Sequence, residues 1–430
     1  MTGPAPELRD AMRGANSRTA LMLAFPFPPF AQSTGRLRTV SFVRHLPESG
    51  WRPIVVTGVT SMYPAVDART EREIPAGTTV MRAWGKDVAR HFSIRGIYPR
   101  WLATPDRWNT WALGAVRVAQ RAVREFRPEV LWATFPVPSA LLAALIAQRR
   151  TGIPLVADLR DPLVYETWPA KCWERAVYGW IERRLVAHAA AIVVTTPGAR
   201  AMYVERYPHA AEKFVVIANG IDESDVAPPA ARTREPNGPL LLVHSGLMES
   251  PDRDPTVFFA ALRLLRERGC LPARGLRVVL RASGSEVAYR ARAQAQGVSD
   301  LLELAPPVAR AEAIREQAAA DGLLLFQGRH CNRQIPAKAY EYLAGGRPII
   351  GLMDAGGDTH ALVAGAWRVP YCADMESAEA IAAMLERFFD DAARGTVFVP
   401  AAELREAHSR RARATELAQL FDKVRARRPA

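Results

Sequence analysis

Cysteine is scarce and scattered. Cys172, Cys270, Cys331 and Cys372 form no C-x-x-C pair and match no metal-binding spacing. They read as free thiols of a reducing compartment. Long apolar runs are missing too: none approaches the ~20 uncharged residues that a helix needs to cross a bilayer. The first nineteen residues hold Pro4, Pro6, Arg9, Arg13 and Arg18 instead of the apolar core of a secretory leader. The expectation is a cytoplasmic chain that meets the inner face of the plasma membrane peripherally, if at all. There is no G-x-G-x-x-G, which argues against a dinucleotide site. No D-x-D ends a suitable strand, so no metal is expected. No solenoid-like repeat and no nucleic-acid module can be recognised. Lysine is far rarer than arginine, yet the formal net charge is +13. Such a surplus fits nucleotide phosphates, an anionic membrane surface or nucleic acid, and charge alone does not choose among them.

What is present is an alternation of short apolar runs and longer amphipathic stretches. With 430 residues, 49% of them hydrophobic, the chain can bury two cores. In the first half the strand candidates are 20–25, 53–57, 79–83, 129–134, 154–158, 191–195 and 214–217. Several are continuous apolar blocks, the pattern of parallel strands covered on both faces. Helical stretches at 36–49, 106–126, 139–149 and 173–188 fall between them. Strand and helix in rotation imply βαβ units and a doubly wound α/β sheet. Residues 227–238 (A-P-P-A-A-R-T-R-E-P-N-G) have almost nothing to bury and read as a linker. A second series follows, with strands at 240–244, 276–281, 301–305, 322–326 and 348–352 and helices at 256–268, 286–296, 310–319 and 337–344. The expected organisation is therefore a first domain over 16–226, a linker over 227–238, a second domain over 239–398, and a C-terminal segment over 399–427. Residues 390–396 read as a polar connector and 401–427 as one basic amphipathic helix.

Four segments carry candidate chemistry. After the first strand, F-P-F-P-P-F-A-Q-S-T-G-R-L-R (25–38) ends in a small-residue patch opening a helix. Free N–H groups and the helix dipole favour anions there, and Gly35 permits close approach to the backbone. Asp158, Arg160 and Asp161 of A-D-L-R-D-P sit at the carboxyl end of a strand, where open α/β sheets bind ligands. They serve equally well as an internal ion pair plus a helix cap. In H-S-G-L-M-E-S-P-D-R-D-P (244–255), Gly246 opens the backbone and Arg253 can clamp a diphosphate, while His244 reads as structural. In R-Q-I-P-A-K-A-Y-E-Y-L-A-G-G-R-P (333–348), Lys338 and Glu341 share a helix face. A carboxylate there can take both ribose hydroxyls; otherwise the two residues are an exposed charge pair.

Taken together these segments resemble the GT-B glycosyltransferases, specifically glycosyltransferase family 4 and its bacterial cell-surface polysaccharide branch. The likeness spans Leu21 to Arg427. It includes L-P-E-S-G-W-R-P-I-V-V-T (46–57), P-D-R-W (105–108), G-I-P-L-V-A-D-L-R-D-P (152–162), V-I-A-N-G-I-D (216–222) and I-P-A-K-A-Y-E-Y-L-A-G-G-R-P-I-I (335–350). The resemblance implies two Rossmann-like domains facing a cleft, with donor nucleotide on the second, acceptor on the first, and the final helix crossing back. The donor set it implies is Gly35, Gly246, Arg253, Ile335, Lys338 and Glu341, with Glu341 on the ribose and Arg253 and Lys338 on the diphosphate. The acceptor side is Arg38, Asp158, Arg160 and Asp161, and the catalytic set is Asp161, Arg253 and Lys338. The chain departs from the family pattern at Arg333, where the first of two glutamates is usual, at Leu247, where a basic residue is usual, and over 132–138, which holds no histidine.

The expected reaction is transfer of a sugar from a UDP- or GDP-sugar to an acceptor hydroxyl, with retention and without metal or cofactor; the nucleotide sugar is itself a substrate. The acceptor is expected to be a saccharide or lipid-linked saccharide. Trp84, Phe92, Tyr98, Trp101, Trp108 and Trp111, set among basic residues, suit an anionic lipid surface, or else form a core helix with a solvated arginine face. Alternatives are a nucleotide-sugar epimerase or phosphorylase of the same architecture, or a degenerate protein that binds donor without turnover. No nucleic-acid partner is expected.

Overall fold

The computed structural model describes residues 18–31, 35–95, 97–166, 168–222, 238–248, 253–366, 370–397 and 402–427. They divide into two units, each built on its own parallel sheet. In the first unit, β1 (Arg18–Leu23), β2 (Trp51–Gly58), β3 (Thr79–Ala83), β4 (Val130–Thr134), β5 (Leu155–Leu159), β6 (Ala191–Val194) and β7 (Phe214–Val216) lie in the order 3-2-1-4-5-6-7. Leu21 of β1 stands opposite Ile54 on one side and Leu131 on the other. Strands β4, β5 and β6 are buried throughout, as their unbroken apolar runs require.

Helices α1 (Gly35–His45), α2 (Trp111–Phe126), α3 (Pro138–Thr151), α4 (Cys172–His188) and α5 (Pro197–Arg206) connect these strands. Pro138 opens α3, where its missing N–H costs nothing, and Gly152 closes it at φ +66°. Helices α2 to α5 cover one face of the sheet.

The second unit has β8 (Leu240–Ser245), β9 (Leu276–Arg281), β10 (Leu302–Ala305), β11 (Gly322–Gln327), β12 (Ile349–Met353) and β13 (Tyr371–Ala373), ordered 10-9-8-11-12-13. Its helices are α6 (Thr256–Glu267), α7 (Glu286–Ala295), α8 (Arg310–Ala319), α9 (Ala337–Gly345), α10 (Asp358–Ala366), α11 (Ala378–Arg394) and α12 (Ala402–Ala407). Both strand orders reverse next to the first strand of the sheet, between β1 and β4 and between β8 and β11. At such a switch point the loops diverge and leave a crevice outside the carboxyl ends.

Helix α13 (Arg410–Ala426) belongs to the first unit. Ala414, Leu417, Ala418, Phe421 and Val424 recur at helical spacing and pack with α1 on the sheet face opposite α2 to α5. The Phe421 ring meets Trp51 edge-on at 5.2 Å, and the Trp51 indole N–H donates to Asp422 over 3.2 Å. Burying each of these large side chains is worth roughly 1.5–3 kcal/mol.

The structure differs from the sequence reading in several places. The boundary after the first unit falls at Ala218, not 226, and the chain returns to that unit at Arg410, not 399. The 401–427 segment is two helices broken at His408 and Ser409. Residues 390–394 are the last turn of α11, which Gly395 ends at φ +71°. Strand β13 and helices α5, α10 and α11 are additions. The linker expected at 227–238, except Gly238, lies outside the described residues, as do Ser33 and Thr34.

Candidate active site

At the carboxyl edge of the first sheet the charges close on one another. Arg38, on α1, reaches Asp158 at the end of β5 through two hydrogen bonds of 3.1 and 3.0 Å. Its remaining donors take the carbonyls of Ile217 and Ala218, and its guanidinium lies over Phe42. Asp158 is fully buried and also accepts from Thr134 Oγ1 at 3.0 Å. Arg160 donates to Thr134 Oγ1 and Thr39 Oγ1. Burial lowers its pKa to about 10, with Asp158 opposing that shift. Arg38 and Asp158 therefore hold strand end and helix together as a buried ion pair. Asp161 differs: its side chain is exposed at this edge, while crowding by protein raises its carboxyl above the usual range against the pull of Arg160. Gly35 opens α1 and is partly buried.

The second sheet leaves its cations open. β8 ends at Ser245, and Gly246 follows at φ +106°, a conformation that suits glycine. A Cβ at Gly246 would lie 3.2 Å from Lys338 Nζ, so the ammonium rests against bare backbone. Lys338 stands in the first turn of α9, after Pro336, where the helix dipole adds positive potential. Nζ lies 3.0 Å from His244 Nε2. His244 Nδ1 lies 2.9 Å from the Leu324 carbonyl and Nε2 3.1 Å from the Gly246 carbonyl, so both ring nitrogens face an acceptor and Nε2 is shared between Gly246 and Lys338. Burial, then the charges of Lys338 and Arg253, hold the imidazole pKa well below its ordinary value, and the ring is neutral.

Lys338 is itself shifted to about 7, first by burial and then by Arg253, with Glu341 opposing. Arg253 donates to the Leu247 carbonyl over 3.5 Å. Among the described residues neither Lys338 nor Arg253 pairs with a carboxylate within salt-bridge distance. Two cations with no paired anion at a switch point make a site for an anionic group.

Glu341, one turn beyond Lys338, lines an adjoining cavity of about 210 Å³. Its other walls come from Ser245 and Gly246, from Arg281 and Ala282 at the end of β9, from Pro307 and Val308 after β10, and from α8. Arg281 is fixed by Glu316 at 2.5 Å, and Arg310 Nη1 lies 3.7 Å from Glu341. Ser245 Oγ is buried beside this cavity with no hydrogen-bond partner.

The structure thus brings Gly246, Arg253, Lys338 and Glu341 together, with Ile335 partly buried in the loop before α9. The sequence reading missed His244 as the partner of Lys338, and missed Arg281, Arg310 and Pro307 as cavity walls. Their signal was position alone, since each follows or ends a strand or opens a helix at the carboxyl edge. Trp108 and Trp111, which suited either a lipid surface or a core helix, pack around Phe25, with ring centroids 4.7 and 5.3 Å away.

Two doubly wound units, one with an anion-ready switch point, define the GT-B class. Residues 33–220 match the model of the glycosyl transferase 4-like domain. Among solved structures, sucrose-phosphate synthase from Thermosynechococcus elongatus is 14% identical, covers 95% of this chain and 99% of its own, and superposes with a TM-score of 0.67. Anabaena HepE, solved with UDP and glucose, is 16% identical over 94% of this chain and 100% of its own, at 0.62. A putative UDP-N-acetylglucosamine 2-epimerase from Listeria monocytogenes has the same fold at 11% identity, covering 96% of this chain and 98% of its own, at 0.56. No curated protein matches the sequence.

Proposed function

We propose that this chain transfers a hexosyl group from a UDP- or GDP-sugar to a hydroxyl of a saccharide or lipid-linked saccharide, with retention of anomeric configuration, in cell-surface polysaccharide or glycolipid synthesis at the inner face of the plasma membrane. The observation that carries this reading is Lys338, half-buried against Gly246 and in contact with the His244 imidazole, one helical turn from Glu341. A diphosphate set on Lys338 and Arg253 places its ribose toward Glu341 and its base in the cavity walled by Pro307, Val308 and α8. The complexes of HepE with UDP and UDP-glucose support a uridine nucleotide as the first to try.

When the glycosidic bond to the diphosphate breaks, the sugar becomes oxocarbenium-like and negative charge gathers on the departing phosphate. Lys338, Arg253 and the α9 N-terminus stabilise that charge. This is the work a metal ion would otherwise do, so the proposed reaction uses none, nor any cofactor. The proton of the acceptor hydroxyl passes to the departing phosphate. Asp161, exposed at the carboxyl edge of the first sheet, orients the acceptor.

The test is a thermal-shift screen against UDP-, GDP-, ADP- and dTDP-sugars, followed by product analysis with labelled donor. A UDP- or GDP-sugar at a hundredfold excess over its Kd stabilises by roughly 2.7 kcal/mol, and label moves to an acceptor. Isomerised donor would establish an epimerase instead, and binding without turnover a degenerate protein.

A further inference from the structure

Among the described residues, the large apolar side chains most open to solvent are concentrated. All but Val66, Leu247 and Val287 lie between Trp84 and Trp180 of the first unit. Ile94 and Ile97, 81% and 78% exposed, close a tight turn. Each donates its N–H to the other's carbonyl, over 2.9 and 3.0 Å, and Arg95 between them is left-handed at φ +53°. Residues paired this way carry their side chains on one face of the turn, so the two isoleucines form a single apolar tip.

A second exposed group belongs to the same surface. Trp168 closes a like turn with Tyr165, and Arg175 donates to the carbonyls of both. Trp173 and Trp180, seven positions apart on α4, face outward together. Two contacts join the two groups: Tyr178 Oη donates to the Pro105 carbonyl at 3.0 Å, and Arg100 lies 3.9 Å from Glu174; within the second group Trp168 packs edge-on to Tyr178.

The charge around these apolar groups has one dominant sign. Arg95, Arg100, Arg183 and Arg184 are exposed, and the Arg184 guanidinium stacks over Trp180. The acidic residues nearby are Glu166, exposed, and Glu174, beside Arg100. Tryptophan and isoleucine interleaved with arginine fit the boundary between headgroups and acyl chains of an anionic bilayer. An apolar surface this extensive is costly to leave in water.

The topology places the surface usefully. Trp84 directly follows β3, and the Trp168 turn lies in the connection after β5, so both grow from the carboxyl edge that carries Asp161. We propose that the face bearing Ile94, Ile97, Trp101, Trp168, Trp173 and Trp180 docks on an anionic lipid bilayer, with Ile94 and Ile97 as its inserting tip. Docking there brings the acceptor edge of the first sheet to the membrane surface. Its purpose rests on the lipid-linked acceptor proposed above, but the two can fail separately.

The experiment is flotation of the full chain with phosphatidylglycerol-rich and with phosphatidylcholine vesicles, across a salt series. The wild type floats with the anionic vesicles and is released by salt. Ile94→Glu with Ile97→Glu weakens binding by about tenfold or more, while stabilisation by UDP is unchanged. Trp173→Ser with Trp180→Ser gives an independent variant of the same face, and Arg183→Glu with Arg184→Glu weakens binding and flattens its salt dependence. Three results overturn the proposal: a wild type that floats with neither vesicle, apolar-tip and tryptophan variants that bind as tightly as the wild type, or a stable dimer, dissolved by Ile94→Glu with Ile97→Glu, in a chain that ignores vesicles. Loss of UDP stabilisation in the wild type would instead strike the transferase reading.

Discussion

At the carboxyl edge of the first sheet, Arg38 meets a buried carboxylate, two carbonyls and a phenyl ring. At the same edge of the second, Lys338 meets a neutral imidazole, bare glycine backbone and another cation. The strand order is alike, yet the two cations have opposite roles. Where the fold supplies the counter-charge, the pair is structural. Where it supplies an imidazole, a second cation and a carboxylate, Glu341, that makes no salt bridge with Lys338, an anion from outside can complete the pairing.

Breaking the closed pair gives the largest expected effect. Asp158→Ala strands the Arg38 guanidinium inside the first unit and costs about 3–5 kcal/mol of stability, read as a lower urea midpoint. A midpoint that hardly moves would show the pair to be dispensable. Lys338→Met sharpens the contrast. Transfer is expected to fall by about 10²–10³ in kcat, the cost of losing one charge-stabilising donor, whereas the empty protein gains stability. The sign follows from linkage. The folded-state pKa of Lys338, about 7, lies below that of an unfolded lysine, so folding expels a proton between those values and stability rises with pH across that window. Removing the ammonium removes that penalty, and a melting scan at pH 7 reads a higher Tm.

A smaller loss is expected from Glu341→Ala. UDP should bind about 1.5–3 kcal/mol more weakly, the worth of hydrogen bonds to a charged group. The wild type should discriminate against 2′-deoxyuridine diphosphate and the variant should not. Smallest is the pH effect on UDP affinity. A bound diphosphate raises the lysine pKa, so binding takes up a proton above pH 7, and affinity falls by up to about tenfold per pH unit there. A flat profile between pH 7 and 9 would separate Lys338 from the diphosphate.

Much of this was legible from residue order. Continuous apolar runs marked β4, β5 and β11, and Lys338 and Glu341 stood out by sharing a helix face. The pairing of Arg38 with Asp158 was not legible, because the partners are 120 residues apart and only the closed sheet brings them together. His244 looked structural, and it is buried as such a residue would be. Its second duty depends on β8 and α9 meeting, which no local pattern shows. Helix α11 did have a signal, with Ile381, Leu385, Phe388 and Phe389 at helical spacing, but the polar residues of its last turn masked it.

The most direct test of the open cation is calorimetric titration of the full chain with UDP at pH 8 in buffers of different ionisation enthalpy. Lys338 against the diphosphate predicts uptake of most of a proton for each UDP bound, and its disappearance in Lys338→Met. UDP binding with no proton uptake, equally tight in wild type and variant, would contradict the account.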